Sequence, residues 1–174
     1  RRGLLNLPNT LDALPYLVKE KNARLFERYQ VLSRRELESR YEIALGQYFH
    51  AINIEGETSA EMAGTMFFPG VLRYLSELSE AVGRTRDAGI KSAAPARVAK
   101  EVAEDLDRLD EALAELRKQN AELGGDEYTS KAVHMRENII PAMRQVREVA
   151  DRLERILPDD LRPWPSYREM LFVK

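Results

Sequence analysis

The sequence predicts an all-α protein. Ala, Leu, Glu and Arg recur at helical spacing along the 174 residues, while alternating β-branched runs and an Asn-Gly hairpin turn are missing. The longest apolar runs, such as residues 64–72, fall well short of the roughly 20 residues that span a bilayer. We therefore expect a helical bundle with a long antiparallel α-hairpin and kinked helices, and no membrane association.

The first elements are predicted from caps and apolar spacing. Residues 7–30 are expected to form one or two short helices, with Thr10 as the N-cap candidate and Asp12 in the first turn. Ser33 and Glu36 have the capping-box spacing, which predicts the start of a long helix. The buried stripe of that helix is expected at positions spaced by three and four: Leu37, Tyr41, Leu45, Tyr48, Phe49 and Ile52.

Glycine and proline set the next predicted boundaries. We expect Gly56 to interrupt the helix as a turn or kink, with Thr58 or Ser59 capping the helix that follows. Pro69 predicts a kink near residues 65–69, because proline removes one helical hydrogen bond and clashes with the preceding turn. Residues 83–95 are expected to form a loop that ends with Pro95 in the first turn of the next helix.

Two apolar seams predict the α-hairpin. In residues 97–123 and 127–157, apolar positions alternate at spacings close to four and three, and the short GGDE segment between them (124–127) allows only a tight reversal. The two helices should therefore pair antiparallel. The patterns FFPGV (67–71) and IIPAM (139–143) match, which suggests two similar kinked helices.

The C-terminal tail has its own signature. Pro163 and Pro165 flank the only tryptophan, Trp164, and Ser166 is expected to cap a short apolar helix with Glu169 at the capping-box position. We expect this strap to pack either on the chain's own helices or on a neighbouring domain or subunit.

Charge and composition exclude several function classes. The formal charge is −2, from 27 basic and 29 acidic residues interspersed along the chain, so no positive field favours nucleic acid or anionic lipid. Cysteine is absent, which excludes disulfides and thiolate metal sites and permits a reducing compartment. The start at RRGLLNL, without methionine, suggests a piece of a longer protein.

His50 and the nearby Glu55, Glu57 and Glu61 are the main candidates for chemistry. On one unbroken helix, positions 50, 57 and 61 would share a face and could suggest a metal site, but solvated carboxylates and a partly buried imidazole are the simpler interpretation. His134 is followed by Glu137, in the reverse order to the Glu-x-x-His of diiron bundles. No Gly-x-Ser-x-Gly elbow and no phosphate-binding glycine loop occurs. We predict no catalytic, cofactor-binding or metal-ligating residue.

Several quoted segments together resemble the C-terminal region of type III glutamine synthetases. They are RGLLNLPNTLDALPYLVKEKNARLF, SRYEIALGQYFHAINIE, FFPGVLRYL, NIIPAMRQVREVADRLE and WPSYREMLF, in this order. The chain departs from the family at Gly56-Glu57-Thr58, where the family tends to continue with a helical run. Residues 83–96 also contain no segment that resembles the family.

The resemblance implies a role within a larger enzyme. That enzyme would join ammonia to glutamate with ATP, through a γ-glutamyl phosphate, as stacked hexameric rings that use magnesium or manganese. The family's substrate, nucleotide and metal ligands belong to an upstream catalytic domain, so none is carried onto this chain. The expected organisation is 1–32 as short linking helices, 33–160 as a helical bundle and 161–174 as the strap.

The expected role of the chain is structural, oligomeric or regulatory, in a cytoplasmic enzyme whose partners are its own catalytic domain and further copies. Two alternatives come from other classes: a free-standing helical adaptor that binds a partner through its long hairpin, and a small metal-dependent bundle enzyme that would rest on His50 and its neighbours.

Overall fold

A computed structural model describes residues 3–165 and 167–172, and every regular element in these residues is helical, as predicted. Eight α-helices occur in this order: α1 (Thr10–Ala13), α2 (Glu20–Arg28), α3 (Arg34–Met62), α4 (Phe68–Asp87), α5 (Ala94–Ala121), α6 (Tyr128–His134), α7 (Ile140–Glu154) and α8 (Tyr167–Leu171). Short 3₁₀ turns lie at Leu14–Tyr16 and Asp159–Leu161. Among the described residues, no helix combines the length and apolarity needed to cross a bilayer.

The chain divides into two compact units. Unit 1 contains Arg1–Gly56 and Gln119–Pro141, and unit 2 contains Glu57–Lys118 and Ala142–Lys174. This division follows contacts within the fold. The functional organisation into 1–32, 33–160 and 161–174 stays a prediction.

Each unit has its own buried apolar side chains. In unit 1, Leu11, Leu45 and Ala132 form a buried cluster, against which Leu14, Tyr41, Tyr48 and Val133 pack. The buried side chains of unit 2 include Phe67, Val71, Val102, Leu106, Leu109, Leu113, Leu116, Val146, Leu153 and Leu157. The short N-terminal helix α1 therefore contributes to a core through Leu11.

The predicted N-terminal cap of α3 is confirmed, and the predicted cap of α1 is corrected. The Ser33 backbone N–H donates to Glu36 Oε2 at 2.7 Å, and the Glu36 N–H donates to Ser33 Oγ at 3.3 Å, so the predicted capping box is present. The prediction of Thr10 as an N-cap is wrong. Asn9 is the cap, because its side-chain oxygen accepts the Asp12 N–H at 2.9 Å and Thr10 is the first helical residue.

The predicted interruption at Gly56 is also wrong. Helix α3 runs unbroken through this residue, and Gly56 is buried. A Cβ placed there would lie 2.8 Å from Asn120 Oδ1 and 2.9 Å from Ile139 Cγ2. Glycine at this position therefore allows close packing against the segments around Asn120 and Ile139, and Thr58 and Ser59 are interior residues of α3 with no helix to cap.

Both predicted proline kinks take the form of a π-helical turn. The first π-turn (Ala63–Phe67) runs directly into α4, and the second π-turn (Met135–Ile139) runs directly into α7. In each case the N–H of the next residue donates five positions back, from Phe68 to Ala63 and from Ile140 to Met135. Proline follows at position 69 or 141, where a widened turn accommodates its missing N–H and its ring. The repeated sequence pattern thus marks a repeated backbone structure.

The predicted α-hairpin is present, with the first helix shifted toward the N-terminus (Ala94–Ala121) and the second helical segment shorter than predicted (128–154). In unit 1 Gln119 contacts His134, and in unit 2 Asp105 contacts Arg152. In both pairs the two residues lie on opposite sides of the 122–127 connection, and the earlier residue of the first helix pairs with the later residue of the second segment, as antiparallel pairing requires. Helix α5 ends at Ala121, so Leu123 lies beyond the helix and is exposed. The loop predicted at 83–95 is restricted to residues 88–93, because α4 continues to Asp87; Pro95 lies in the first turn of α5 as expected.

Candidate functional site

The four candidate metal ligands on α3 are all exposed: His50, Glu55, Glu57 and Glu61. The unbroken helix does put positions 50, 57 and 61 on one face, as the metal hypothesis required. Positions 50 and 57 are nevertheless about 10.5 Å apart along the axis at 1.5 Å per residue. Metal ligands lie roughly 2–2.6 Å from the ion. In the part of the chain that the structure describes, no group of three or more His, Asp or Glu side chains could hold a metal.

His50 instead takes part in an aromatic cluster of unit 1. Its ring lies 5.0 Å from the Phe49 ring and 6.1 Å, edge-on, from the Tyr128 ring, measured between centroids. The ammonium group of Lys131 lies 5.3 Å from the Phe49 ring centre, within cation–π range. These contacts attach α6 to α3. The small residue Gly46 leaves room for the Tyr128 ring, which would lie 3.4 Å from a Cβ there.

His134 is a buried structural residue that caps α5. Its Nε2 lies 3.0 Å from the backbone oxygen of Gln119, and its Nδ1 lies 3.1 Å from Asn138 Nδ2. Gln119 lies in the last turn of α5, and its carbonyl also accepts the Glu122 N–H at 3.1 Å. The Nε2 contact joins the end of α5 to the segment that carries His134, and the Nδ1 contact fixes the ring against the next turn of its own segment.

An ion-pair cluster joins the N-terminal segment to the second π-turn. Arg136 donates to Asp12 Oδ1 at 2.8 Å and to Glu137 Oε1 at 2.8 Å, and Asn9 donates to the other Asp12 oxygen at 2.7 Å. The pKa of Arg136 is raised, chiefly by its hydrogen bond to Glu137. The pKa of Tyr48 is also raised, chiefly by burial, while the nearby Arg136 charge opposes that shift. Every partner within this cluster comes from unit 1.

Asp105 is a buried carboxylate of unit 2. Its Oδ1 accepts from Arg108 at 2.9 Å and from Arg152 at 3.3 Å. The two arginines compensate for the burial of the carboxylate, and Arg152 joins α7 to α5. This cluster explains the burial of Asp105 without a ligand.

One exposed face of α3, which we call the α3 surface, consists of Ile43, Gln47, His50 and Ile54, of which His50 also contacts the Tyr128 ring. These residues are spaced by four, three and four positions, and they lie opposite the buried stripe. Ile43 is 57% exposed and Ile54 is 61% exposed. An open groove at the N-terminal end of this surface is lined by Arg35, Glu36, Ser39, Arg40, Ile43, Ala44 and Gln47. The α3 surface is therefore the candidate interaction site of unit 1.

The sequence contained a signal for this surface that the prediction did not use. Ile43 and Ile54 fall outside the expected buried stripe, and their separation of eleven residues places both on the same side of a helix. His50 was identified, but as a possible ligand and not as part of an apolar face.

The tail has one docked part and one exposed part, both within unit 2. The Trp164 ring stacks on Phe67, with centroids 5.1 Å apart and 15° between planes. By contrast, Met170, Leu171 and Phe172 are exposed, and Leu171 reaches 75%. The predicted cap at Ser166 lies outside the described residues. The strap thus packs on the chain's own helices through Trp164 and leaves its last apolar side chains open.

Comparisons with known proteins extend along the whole chain. The family model described as the glutamine synthetase C-terminal domain matches residues 1–86. A type-3 glutamine synthetase of Dictyostelium discoideum is 32% identical over 182 residues, which cover 99% of this chain and 24% of that protein. A glutamine synthetase of Butyrivibrio fibrisolvens is 29% identical, covering 99% of this chain and 25% of that protein. One of Bacteroides fragilis (strain YCH46) is 24% identical over 100% of this chain and 25% of that protein. The chain spans about a quarter of the length of these relatives.

Proposed function

Because the chain belongs to the glutamine synthetase C-terminal domain family, we propose that it serves subunit packing, ring architecture or regulation in a type III glutamine synthetase. The observation that carries this proposal is the extent of the similarity. It covers nearly all of this chain but only about a quarter of each relative. A catalytic domain elsewhere in a longer polypeptide is then the first partner.

The proposed activity of that longer protein is the ATP-dependent ligation of ammonia to glutamate, with magnesium or manganese. The described residues of this chain show no arrangement that fits the metal. The buried carboxylate Asp105 already accepts from two arginines, and no other group among the described residues is arranged to hold a metal. We therefore assign ATP and metal binding to the catalytic domain and no catalytic residue to this chain.

The α3 surface supports a packing role. Two exposed isoleucines on one helix face leave apolar area in water, and covering such area favours association. The clusters around Arg136, His134 and Asp105 make each unit internally connected. A preformed helical surface of this kind suits docking to a catalytic domain or a neighbouring subunit. We place the enzyme in the cytoplasm, as a homo-oligomer of stacked hexameric rings.

The alternative is a free-standing helical adaptor, for which the same exposed α3 surface would bind a different protein. The two functions differ in what is encoded upstream of Arg1. A contiguous reading frame for a synthetase catalytic domain supports the first, and a stop codon closely upstream supports the second.

The proposal is tested with the protein that contains this chain. The full-length protein and the isolated chain are each supplied with glutamate, ammonia, ATP and magnesium or manganese, and glutamine is measured. We expect glutamine from the full-length protein and none from the isolated chain. Glutamine formation by the isolated chain, or none by a correctly assembled full-length protein, would contradict the proposal.

A further inference from the structure

Residues 158–165, which we call the strap segment, dock on a small site at the start of α4. The Trp164 ring stacks almost parallel on the ring of Phe67, whose residue is fully buried. The backbone carbonyl of Leu161 approaches Gly70, one turn further along. We call Phe67 and Gly70 together the α4 seat.

Gly70 gives the α4 seat its shape. A Cβ at this position would lie 2.6 Å from the Leu161 oxygen, closer than real Cβ contacts allow. The obstructing atom is backbone, so it cannot move aside as the tip of a flexible side chain would. The seat therefore admits a main-chain carbonyl only because residue 70 has no side chain.

The strap segment is held by shape and ring stacking. Its described hydrogen bonds are local: Leu161 N–H to Pro158 O, Arg162 N–H to Asp159 O, and the Arg162 side chain to Leu157 O and to Asp159. Among the described residues, none joins the strap segment to α4. Pro158 (φ −57°, ψ 149°) and Arg162 (φ −79°, ψ 128°) flank the 3₁₀ turn Asp159–Leu161, and the chain then bends at Pro163 and Trp164. Pro163 and Pro165 restrict the backbone on both sides of Trp164.

From these contacts we infer that the α4 seat is a binding site for a tryptophan flanked by prolines and preceded by a 3₁₀ turn. The chain's own strap segment occupies it as an exchangeable ligand, and the same segment binds it in trans. The flanking prolines restrict the backbone, so less conformational entropy is lost when the segment docks on an aromatic ring. In the seat, the Phe67 ring selects the tryptophan ring, and Gly70, which has no Cβ, leaves space for the Leu161 carbonyl. This inference does not depend on the ligase activity.

A peptide of residues 158–165 tests the inference on the full chain. Trp164→Ala empties the seat and removes the only tryptophan, so that the peptide carries the sole tryptophan in the mixture, which is excited selectively at the red edge of the absorption band where tyrosine does not absorb. We expect the emission of the peptide to shift to the blue and its quenching by acrylamide to fall when the Trp164→Ala chain is added. A fluorescently labelled peptide should bind the wild-type chain at least about tenfold more weakly than the Trp164→Ala chain, because the wild-type seat is occupied by its own strap segment.

Two glycines of α4 give matched controls. The double variant Trp164→Ala/Gly70→Ala should not bind the peptide, whereas Trp164→Ala/Gly83→Ala should bind like Trp164→Ala, because a Cβ at residue 83 meets nothing within 4 Å. A peptide with alanine in place of tryptophan should not bind. Circular dichroism establishes that each variant keeps its helicity.

The inference is overturned if the helical Trp164→Ala chain binds no peptide, if it and the wild type bind equally well, or if Gly70→Ala does not weaken binding. A second measurement needs no peptide and holds even if Trp164→Ala unfolds. In the otherwise wild-type chain, Gly70→Ala should increase the quenching of Trp164 by acrylamide, and Gly83→Ala should leave it unchanged. Equal quenching in both variants contradicts the assigned seat.

Discussion

At the scale of single residues, Gly56 and Gly83 show how the same residue type has opposite consequences inside a helix. A Cβ at position 56 meets Asn120 and Ile139 below 3 Å, whereas one at position 83 meets nothing. We expect Gly56→Ala to lower the free energy of unfolding by about 1–2 kcal/mol through overpacking. Gly83→Ala should raise it by about 0.5–1 kcal/mol, because alanine favours the helix. Urea unfolding of both variants measures the difference, and stabilisation by Gly56→Ala would contradict the close packing.

The Asp12–Arg136 pair is the second residue-scale case. Both side chains are about one-third exposed, so solvent screens their attraction. A double-mutant cycle with Asp12→Asn and Arg136→Met should give a measurable favourable coupling. A coupling near zero would mean that the N-terminal segment is held by Leu11 and its apolar neighbours alone. The matched pair Arg147–Asp151, which lies exposed within α7, should give a smaller coupling.

At the scale of elements, the capping box of α3 predicts a dependence on pH. Hydrogen bonds from the Ser33 backbone and side chain lower the pKa of Glu36 below its ordinary value of 4.5. A carboxyl whose folded pKa is lowered contributes stability above its unfolded pKa, and that contribution is lost as the pH falls through the folded pKa. The stability difference between wild type and Glu36→Gln should therefore shrink on acidification from neutral pH to below 4.5. Glu38→Gln, exposed on the same helix, is the control. A difference independent of pH would contradict the cap.

The hairpin helices carry the second element-scale prediction. Leu109 on α5 and Leu153 on α7 are almost completely buried, so each substitution to alanine should cost about 2–4 kcal/mol of unfolding free energy. Leu123, predicted as the last position of the first seam, is exposed, and Leu123→Ala should change the stability by less than about 0.5 kcal/mol. Denaturant melts of the three variants provide the comparison. Losses below about 0.5 kcal/mol at positions 109 and 153 would contradict their burial.

The π-turns are a further lesson at this scale. Proline in a helix was expected to kink it, and the actual response is a local widening of the helix at both FFPGV and IIPAM. Each π-turn also receives a terminal segment within its own unit. Asp12 binds the second π-turn through Arg136, and Trp164 stacks on Phe67 of the first. The segments around Asp12 and Trp164 are thus each attached at a π-turn within their own unit.

At the scale of the whole molecule, the proposed packing role predicts what the α3 surface does in the full-length enzyme. Ile43→Glu combined with Ile54→Glu places two charges on a face that we expect to be covered, which should weaken subunit or domain association. The same double variant of the isolated chain should melt like the wild type, because both side chains are exposed there. Light scattering and glutamine formation by the full-length protein provide the measurements. Ile90→Glu, at an exposed position in the α4–α5 connection, is the control. Unchanged assembly of the double variant would remove the α3 surface from the interface.

The sequence by itself determined the features that depend on neighbours along the chain. Helical class, the Ser33–Glu36 cap and the antiparallel hairpin follow from periodicity, from side chains that bond their own backbone, and from a connection too short for anything but a reversal. The resemblance to glutamine synthetases, too, was recognisable from ordered sequence segments, and the comparisons find the same similarity. The lack of an assigned catalytic residue stays a prediction.

Only the tertiary structure decided what depends on residues far apart in sequence. Whether Gly56 breaks a helix or lets another segment approach depends on Asn120 and Ile139, which no local pattern around position 56 contains. The contacts of His134 and Trp164 also depend on distant residues. The His134 ring bonds the Gln119 carbonyl at the end of α5, and Trp164 stacks on Phe67, almost a hundred residues earlier in the chain. The face of α3 that carries Ile43 and Ile54 is exposed because the opposite face of the helix packs in the core. The physical reason is that helices form through local hydrogen bonds, while burial and close approach are set by whichever segments the fold brings together.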